Sequence, residues 1–183
     1  MRLRPPSARL PLAAAALASV ALLAGCFPLP PADEVVTVSL QTADGLPVEL
    51  AATIPGGSTD AGPVAVSGCV DDAQSWDLAT PDGIVSFATT SAATACPDAS
   101  PVNGGFPSWA SAAQLPEGAA PITVAGVPAH RFDLDYTECT NFCTTWPREL
   151  ALLELDGATV LIAATGPTPA RFDAMLASIV LQG

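Results

Sequence analysis

The sequence predicts an α+β fold: a mainly antiparallel sheet with a C-terminal helix packed on one face, stapled by disulfides. Three observations carry that expectation. Short runs alternate apolar with polar residues and are separated by Gly, Asp and Pro, which is the period of a half-buried strand. Asp156-Gly157 sits between two apolar runs, the turn chemistry of a two-residue hairpin. After Gly166-Pro167 the period changes: Phe172, Met175, Leu176, Ile179 and Val180 fall at i, i+3, i+4, i+7 and i+8, one face of a helix.

The elements follow in order. Residues 35–40 alternate apolar side chains with Thr37 and Ser39, Asp44-Gly45 supplies a turn, and 48–54 return as a strand. Residues 56–62 show no periodicity and read as a flexible loop. Val64 and Val66 begin a short strand running into Cys69, and 76–79 pair with 84–89 around Pro81-Asp82-Gly83. Residues 95–105, rich in Pro, Asn and Gly, read as loop, and 108–115 as a short helix.

The pattern sharpens from Ile122. Residues 122–125 and 127–136 are strands meeting at Gly126. In the second, Phe132, Leu134 and Tyr136 point one way, and Arg131, Asp133 and Asp135 the other. Residues 137–147, with Cys139, Cys143 and Trp146, read as a disulfide-stapled loop. A type I′ turn at Asp156-Gly157 places Leu153 opposite Val160 and Glu154 opposite Thr159. One hairpin face is then wholly apolar, while the other mixes Glu154 and Thr159 with Leu152 and Leu161 and is expected to be partly covered. Thr168 suits an N-cap and Pro169 a first turn, so a helix over 169–180 would lie across the apolar face.

The first 26 residues follow different rules. Arg2, Arg4 and Arg9 precede an uncharged apolar run over 10–24, which closes on Leu23-Ala24-Gly25-Cys26. The run is too short to span a bilayer, which takes roughly 20 apolar residues. A positive flank, a short apolar core and small residues before the cut form a signal-peptide pattern. With its large aliphatic residue, two small residues and cysteine, the segment resembles a bacterial lipoprotein precursor ending in a lipobox. The resemblance implies cleavage between Gly25 and Cys26 and a diacylglycerol on the Cys26 thiol. It implies a signal peptide over 1–25, a lipidated cysteine with a proline-rich tether over 26–33, and one α+β domain over 34–183. The domain would then sit on the extracytoplasmic face of the cell membrane, on a tether reaching roughly 20 Å.

Composition agrees with an anchor made of lipid alone. From Cys26 onward the chain has no lysine, and its eighteen acidic residues stand against Arg131, Arg148 and Arg171, a formal charge of −15. Anionic headgroups repel such a body. Two acyl chains hold a protein stably where one does so marginally. The same acidity argues against nucleic acid, whose phosphates call for a basic surface. The carboxylates are scattered, which suits solubility better than a dedicated acidic face.

Export would place Cys69, Cys96, Cys139 and Cys143 in an oxidising compartment. Of three possible pairings, Cys69–Cys96 with Cys139–Cys143 closes the shortest loops. A four-thiolate zinc site wants two close pairs, and only Cys139 and Cys143 are close. Their C-x3-C spacing, with no basic neighbour, reads as structural rather than redox-active.

Further along, 85–181 resembles uncharacterised domains of exported actinobacterial proteins. The matching pieces are Val85-Ser86-Phe87-Ala88-Thr89, Gly126-Val127-Pro128-Ala129 leading to Arg131-Phe132-Asp133, and Leu155-Asp156-Gly157 running into the last strand and helix. A strand pair ending in a C-terminal helix is also similar to PsbP-like folds, an antiparallel sheet between helical layers. Neither resemblance brings a binding residue with it.

Candidate chemistry is sparse. His130 is the single histidine, and no Gly-x-Ser-x-Gly elbow presents a serine to it. Asp133, Asp135 and Glu138 could offer oxygens to Ca²⁺, but calcium takes six to eight, usually gathered by a loop, and Arg131 would offset their charge. Asp71-Asp72 is a lesser case. Trp76, Trp109 and Trp146 could line a sugar or lipid pocket, and equally serve as packing. No H-E-x-x-H, Walker or dinucleotide motif occurs, and no cofactor is implied. The expectation is a non-enzymatic envelope module that binds a protein or small ligand. A carrier of a lipid or other apolar ligand, and an envelope enzyme using His130, are the alternatives.

Overall fold

Alternation of apolar and polar residues turns directly into paired strands. The computed structural model describes residues 31–63, 70–79, 83–90, 115, 118–139 and 141–182. Strands β1 (Glu34–Gln41) and β2 (Pro47–Ile54) pair antiparallel and bury Val38, Leu40, Val48, Leu50, Ala52 and Ile54. Thr42 closes their turn. Its hydroxyl donates to Asp44 Oδ1 at 2.6 Å and accepts from the Leu46 N–H at 3.0 Å.

Seven further strands make one antiparallel sheet: β3 (Thr59–Pro63), β4 (Val70–Asp77), β5 (Ile84–Thr90), β6 (Ala120–Val124), β7 (Val127–Cys139), β8 (Cys143–Leu155) and β9 (Ala158–Thr165). Their order across the sheet is β3-β4-β5-β9-β8-β7-β6. Helix α1 (Pro169–Ala177) follows, and β10 (Val180–Gln182) adds to β2, completing a second sheet in the order β1-β2-β10. The fold is mostly antiparallel sheet with one short C-terminal helix among the described residues. In that sense the α+β expectation stands.

The main core lies where α1 and the small sheet meet one face of the large one. Val85, Phe87, Ala151, Leu153, Val160 and Ile162 pack there with Val38, Leu50 and Ile54, and with Phe172, Met175 and Leu176 of α1. Strand β1 would present a bare edge, yet its backbone is capped from β4 and β5. Ser39 N–H donates to Gln74 Oε1 at 3.1 Å, Gln41 N–H to Asp72 Oδ2 at 3.0 Å, and the Thr89 hydroxyl to the Gln41 carbonyl at 2.5 Å. Satisfying edge groups in this way removes a template for unwanted pairing.

The hairpin register is as the Asp-Gly turn dictates, with Leu153 opposite Val160 and Glu154 opposite Thr159. The turn itself is not the expected type I′, which needs positive φ at both central residues: Gly157 has φ of 77°, but Asp156 does not have positive φ. Thr168 caps α1 by accepting from the Arg171 N–H, with Pro169 in the first turn.

Five further expectations are corrected. Residues 59–63 are not loop: β3 pairs along the edge of β4, and its register shifts between Asp60 and Gly62. An edge strand held by backbone pairing needs no apolar alternation, so periodicity could not reveal it. Residues 137–147 are strand except at the tip, because the pairing of β7 with β8 runs out to Cys139 opposite Cys143. The second hairpin face is fully covered at Leu152 and Leu161, which form another cluster with Phe132, Leu150 and Ala163. Strand β4 starts at Val70, well before Trp76. Finally, α1 stops at Ala177. The Ser178 hydroxyl donates to the Met175 carbonyl at 2.6 Å and accepts from Thr53 N–H at 2.8 Å, and Val180 is exposed at the start of β10. The strand at Val64 and Val66, the loop over 95–105 and the helix over 108–114 lie outside the described residues, and Leu115 is not helical.

Candidate functional site

A charged cluster among the described residues centres on Arg131, on the core-facing side of β7. Its neighbour across β8 is Ala151, whose small side chain leaves room for a guanidinium to spread under α1. There it pairs with Glu149 of β8 and with Asp173 of α1, the latter at 3.0 Å, and donates to the Phe132 carbonyl at 2.6 Å. Burial alone would lower the Arg131 pKa, but hydrogen bonds to Glu149 and Asp173 outweigh it and hold the pKa above the usual value. The guanidinium also lies over the Phe172 ring, 4.7 Å from its centroid. This arginine therefore ties two strands to the helix. Asp133 and Asp135, which it was expected to offset, are exposed and lie opposite Glu149 and Pro147.

The other sequence candidates are not brought together. His130 is half-buried on β7 between Leu152 and Pro121 in the sheet, and no hydrogen bond joins it to a serine or carboxylate among the described residues. No three His, Cys, Asp or Glu side chains among the described residues are placed to hold a metal ion. Asp72 is engaged by backbone N–H groups of Gln41 and Ala73, and Asp71 Oδ2 is buried with no partner among the described residues. Trp76 is core, edge-on to Phe87 with centroids 5.7 Å apart, while Trp146 is half-buried on β8. Trp109, Cys26, Cys69 and Cys96 fall outside the described residues, as do the expected signal peptide and the expected tether up to residue 30. Cys139 and Cys143 are disulfide-bonded.

Clefts are modest and open to the surface. One of about 250 Å³ lies between Ile122 and Val124 of β6, Arg131, and Asp173 and Leu176 of α1. Another of about 310 Å³ is lined by Leu46, Val48, Val127, Leu155 and Leu181. A third, about 150 Å³, lies where the chain enters the domain, beside Asp33, Ile54, Leu78, Arg171 and Phe172.

No protein family, curated protein or solved structure matches the chain. The site must be read from its own residues.

One feature that periodicity missed stands outside the body of the sheet. Leu134, Arg148, Thr165, Ile84 and Asp77 form one row across five strands. Beyond that row, 135–139 and 143–147 pair with each other and with no other strand among the described residues, as a two-stranded arm. Its end is closed by the Cys139–Cys143 bond, and Phe142 at the tip is 75% exposed. The signal was present in the sequence as two close cysteines bracketing a phenylalanine between threonine-rich runs.

Proposed function

We propose that this protein is a bacterial envelope lipoprotein whose domain is a non-enzymatic binding or interaction module. The single observation that carries the reading is Leu23-Ala24-Gly25-Cys26 at the end of an uncharged apolar run behind Arg2, Arg4 and Arg9. Diacylglycerol on Cys26 supplies the two chains that stable attachment takes. The domain then works on the extracytoplasmic face of the cell membrane. Binding is favoured over catalysis because His130, the single histidine, lies between Leu152 and Pro121 in the sheet, with no hydrogen bond to a serine or carboxylate among the described residues. A carrier of apolar ligands draws less support. Between its layers Phe87, Phe172, Leu50 and Ile162 are each below 2% exposed and belong to one packed cluster. Mass analysis of the mature N-terminus from native envelopes tests the reading. It should find Cys26 as the first residue, carrying a diacylglyceryl mass; an unmodified N-terminus elsewhere would contradict it.

A further inference from the structure

The chain enters the domain at the end of the large sheet from which the arm extends. Asp33 pairs with Arg171 at 3.3 Å, in the first turns of α1 and just past the end of β9. Pro31 passes beside Gly57 and Ala79, two residues beyond the end of β4. Both contacts lie by the row of Asp77, Ile84, Thr165 and Arg148, and past that row the arm continues for five residues of each of its strands.

The two reaches match. Five residues of strand beyond the row carry the arm roughly 17 Å outward. The seven links from Cys26 to Asp33 can span roughly 20–25 Å. An acyl-bearing Cys26 and the arm tip can therefore meet one plane together.

The tip is built to keep its shape and to expose one apolar group. An isolated two-stranded ribbon is marginal in water. This one is tied by the disulfide and by the Thr137 and Thr145 hydroxyls, 2.9 Å apart across the strands. Phe142 belongs to no apolar cluster among the described residues, so its exposure does nothing for the fold. At a bilayer surface, phenylalanine is favoured at the boundary between headgroups and acyl chains.

We propose that the stapled arm is a second membrane contact, seating Phe142 in the bilayer that holds the lipid on Cys26. The proposal rests on the lipoprotein reading above. A single side chain binds a bilayer too weakly to act alone, but a tether this short makes its insertion an intramolecular event at high effective concentration. The repulsion of the acidic body by anionic headgroups favours zwitterionic lipid around the contact.

The test uses full-length lipidated protein carrying Phe142→Trp, reconstituted into phosphatidylcholine vesicles with brominated acyl chains. Emission is compared with that of the parent protein, which subtracts Trp76, Trp109 and Trp146. The added indole should be blue-shifted and quenched by the brominated lipid. Protein that pellets with the vesicles while the added emission stays unquenched overturns the arm contact and leaves the lipoprotein reading standing. Protein that does not pellet overturns that reading and the arm proposal with it. A blue shift in native envelopes without quenching in brominated vesicles would give the tip to a protein pocket, and would also overturn the proposal.

Discussion

The guanidinium of Arg131 stacks on the Phe172 ring at 4.7 Å while pairing with Glu149 beneath it. One side chain thus joins β7, β8 and α1. The Arg131 and Glu149 side chains are only 16% and 10% exposed, so the pair is poorly screened and costly to break from one side. Arg131→Met should cost on the order of 3 kcal/mol, because it strands a buried carboxylate and removes the ring contact. Glu149→Gln on that background should restore part of the loss. Urea unfolding of the four proteins in the cycle checks this, and a single-variant loss below about 0.5 kcal/mol would contradict it.

Leu176 is buried beneath α1, whereas the Asp173 side chain is 61% exposed and meets Arg131 from the solvent side. Leu176→Ala should cost about 2–5 kcal/mol by opening a cavity. Asp173→Ala should cost no more than about 1 kcal/mol, since an exposed pair contributes little. Equal losses would mean that the helix does not rest on the sheet as described.

Two glycines are demanded by different geometry. Gly157 needs positive φ, so Gly157→Val should cost roughly 1–3 kcal/mol through strain. Gly56 has an ordinary φ, but a Cβ there would collide with the Ala32 carbonyl. Gly56→Ala should therefore displace the chain where it enters the domain and spare the hairpin. Amide exchange would separate them: faster at β8 and β9 for Gly157→Val, and at β1 and 31–33 for Gly56→Ala. The reverse pattern would contradict both assignments.

How much of this was legible follows from where the signal resides. The hairpin around Gly157 and the buried face of Phe172, Met175 and Leu176 were readable, because side-chain period and turn chemistry are local. Strand β3 was not, since its pairing is a backbone property of an edge. The end of α1 was missed because Ile179 keeps the helical spacing while Ser178 turns the chain toward β2. The partners of Arg131 lie 18 and 42 residues away, beyond the range of any local pattern. Its neighbours along β7 suggested Asp133 instead.

A pH effect is expected at the first turn. The Thr42 hydroxyl and the backbone N–H of Asp44 itself hold the Asp44 carboxyl below its ordinary value of 3.8. A lowered pKa in the fold means that the carboxylate's contribution is complete above the unfolded value and is lost as pH falls through the folded one. Carboxyl-carbon NMR should give a midpoint below 3.8 for Asp44, moving back toward that value in Thr42→Val. A parent midpoint at or above 3.8 would count against the hydrogen bond.

The most direct test of the account is the membrane partition of Cys26→Ser in the native host. Serine removes the thiol that would carry the diacylglycerol, and with eighteen acidic residues against three arginines from Cys26 onward, anionic headgroups would repel the protein rather than hold it. The account predicts that parent protein pellets with membranes and that the variant is either released into the soluble fraction or retained as uncleaved precursor. A variant cleaved like the parent and still membrane-bound would contradict it.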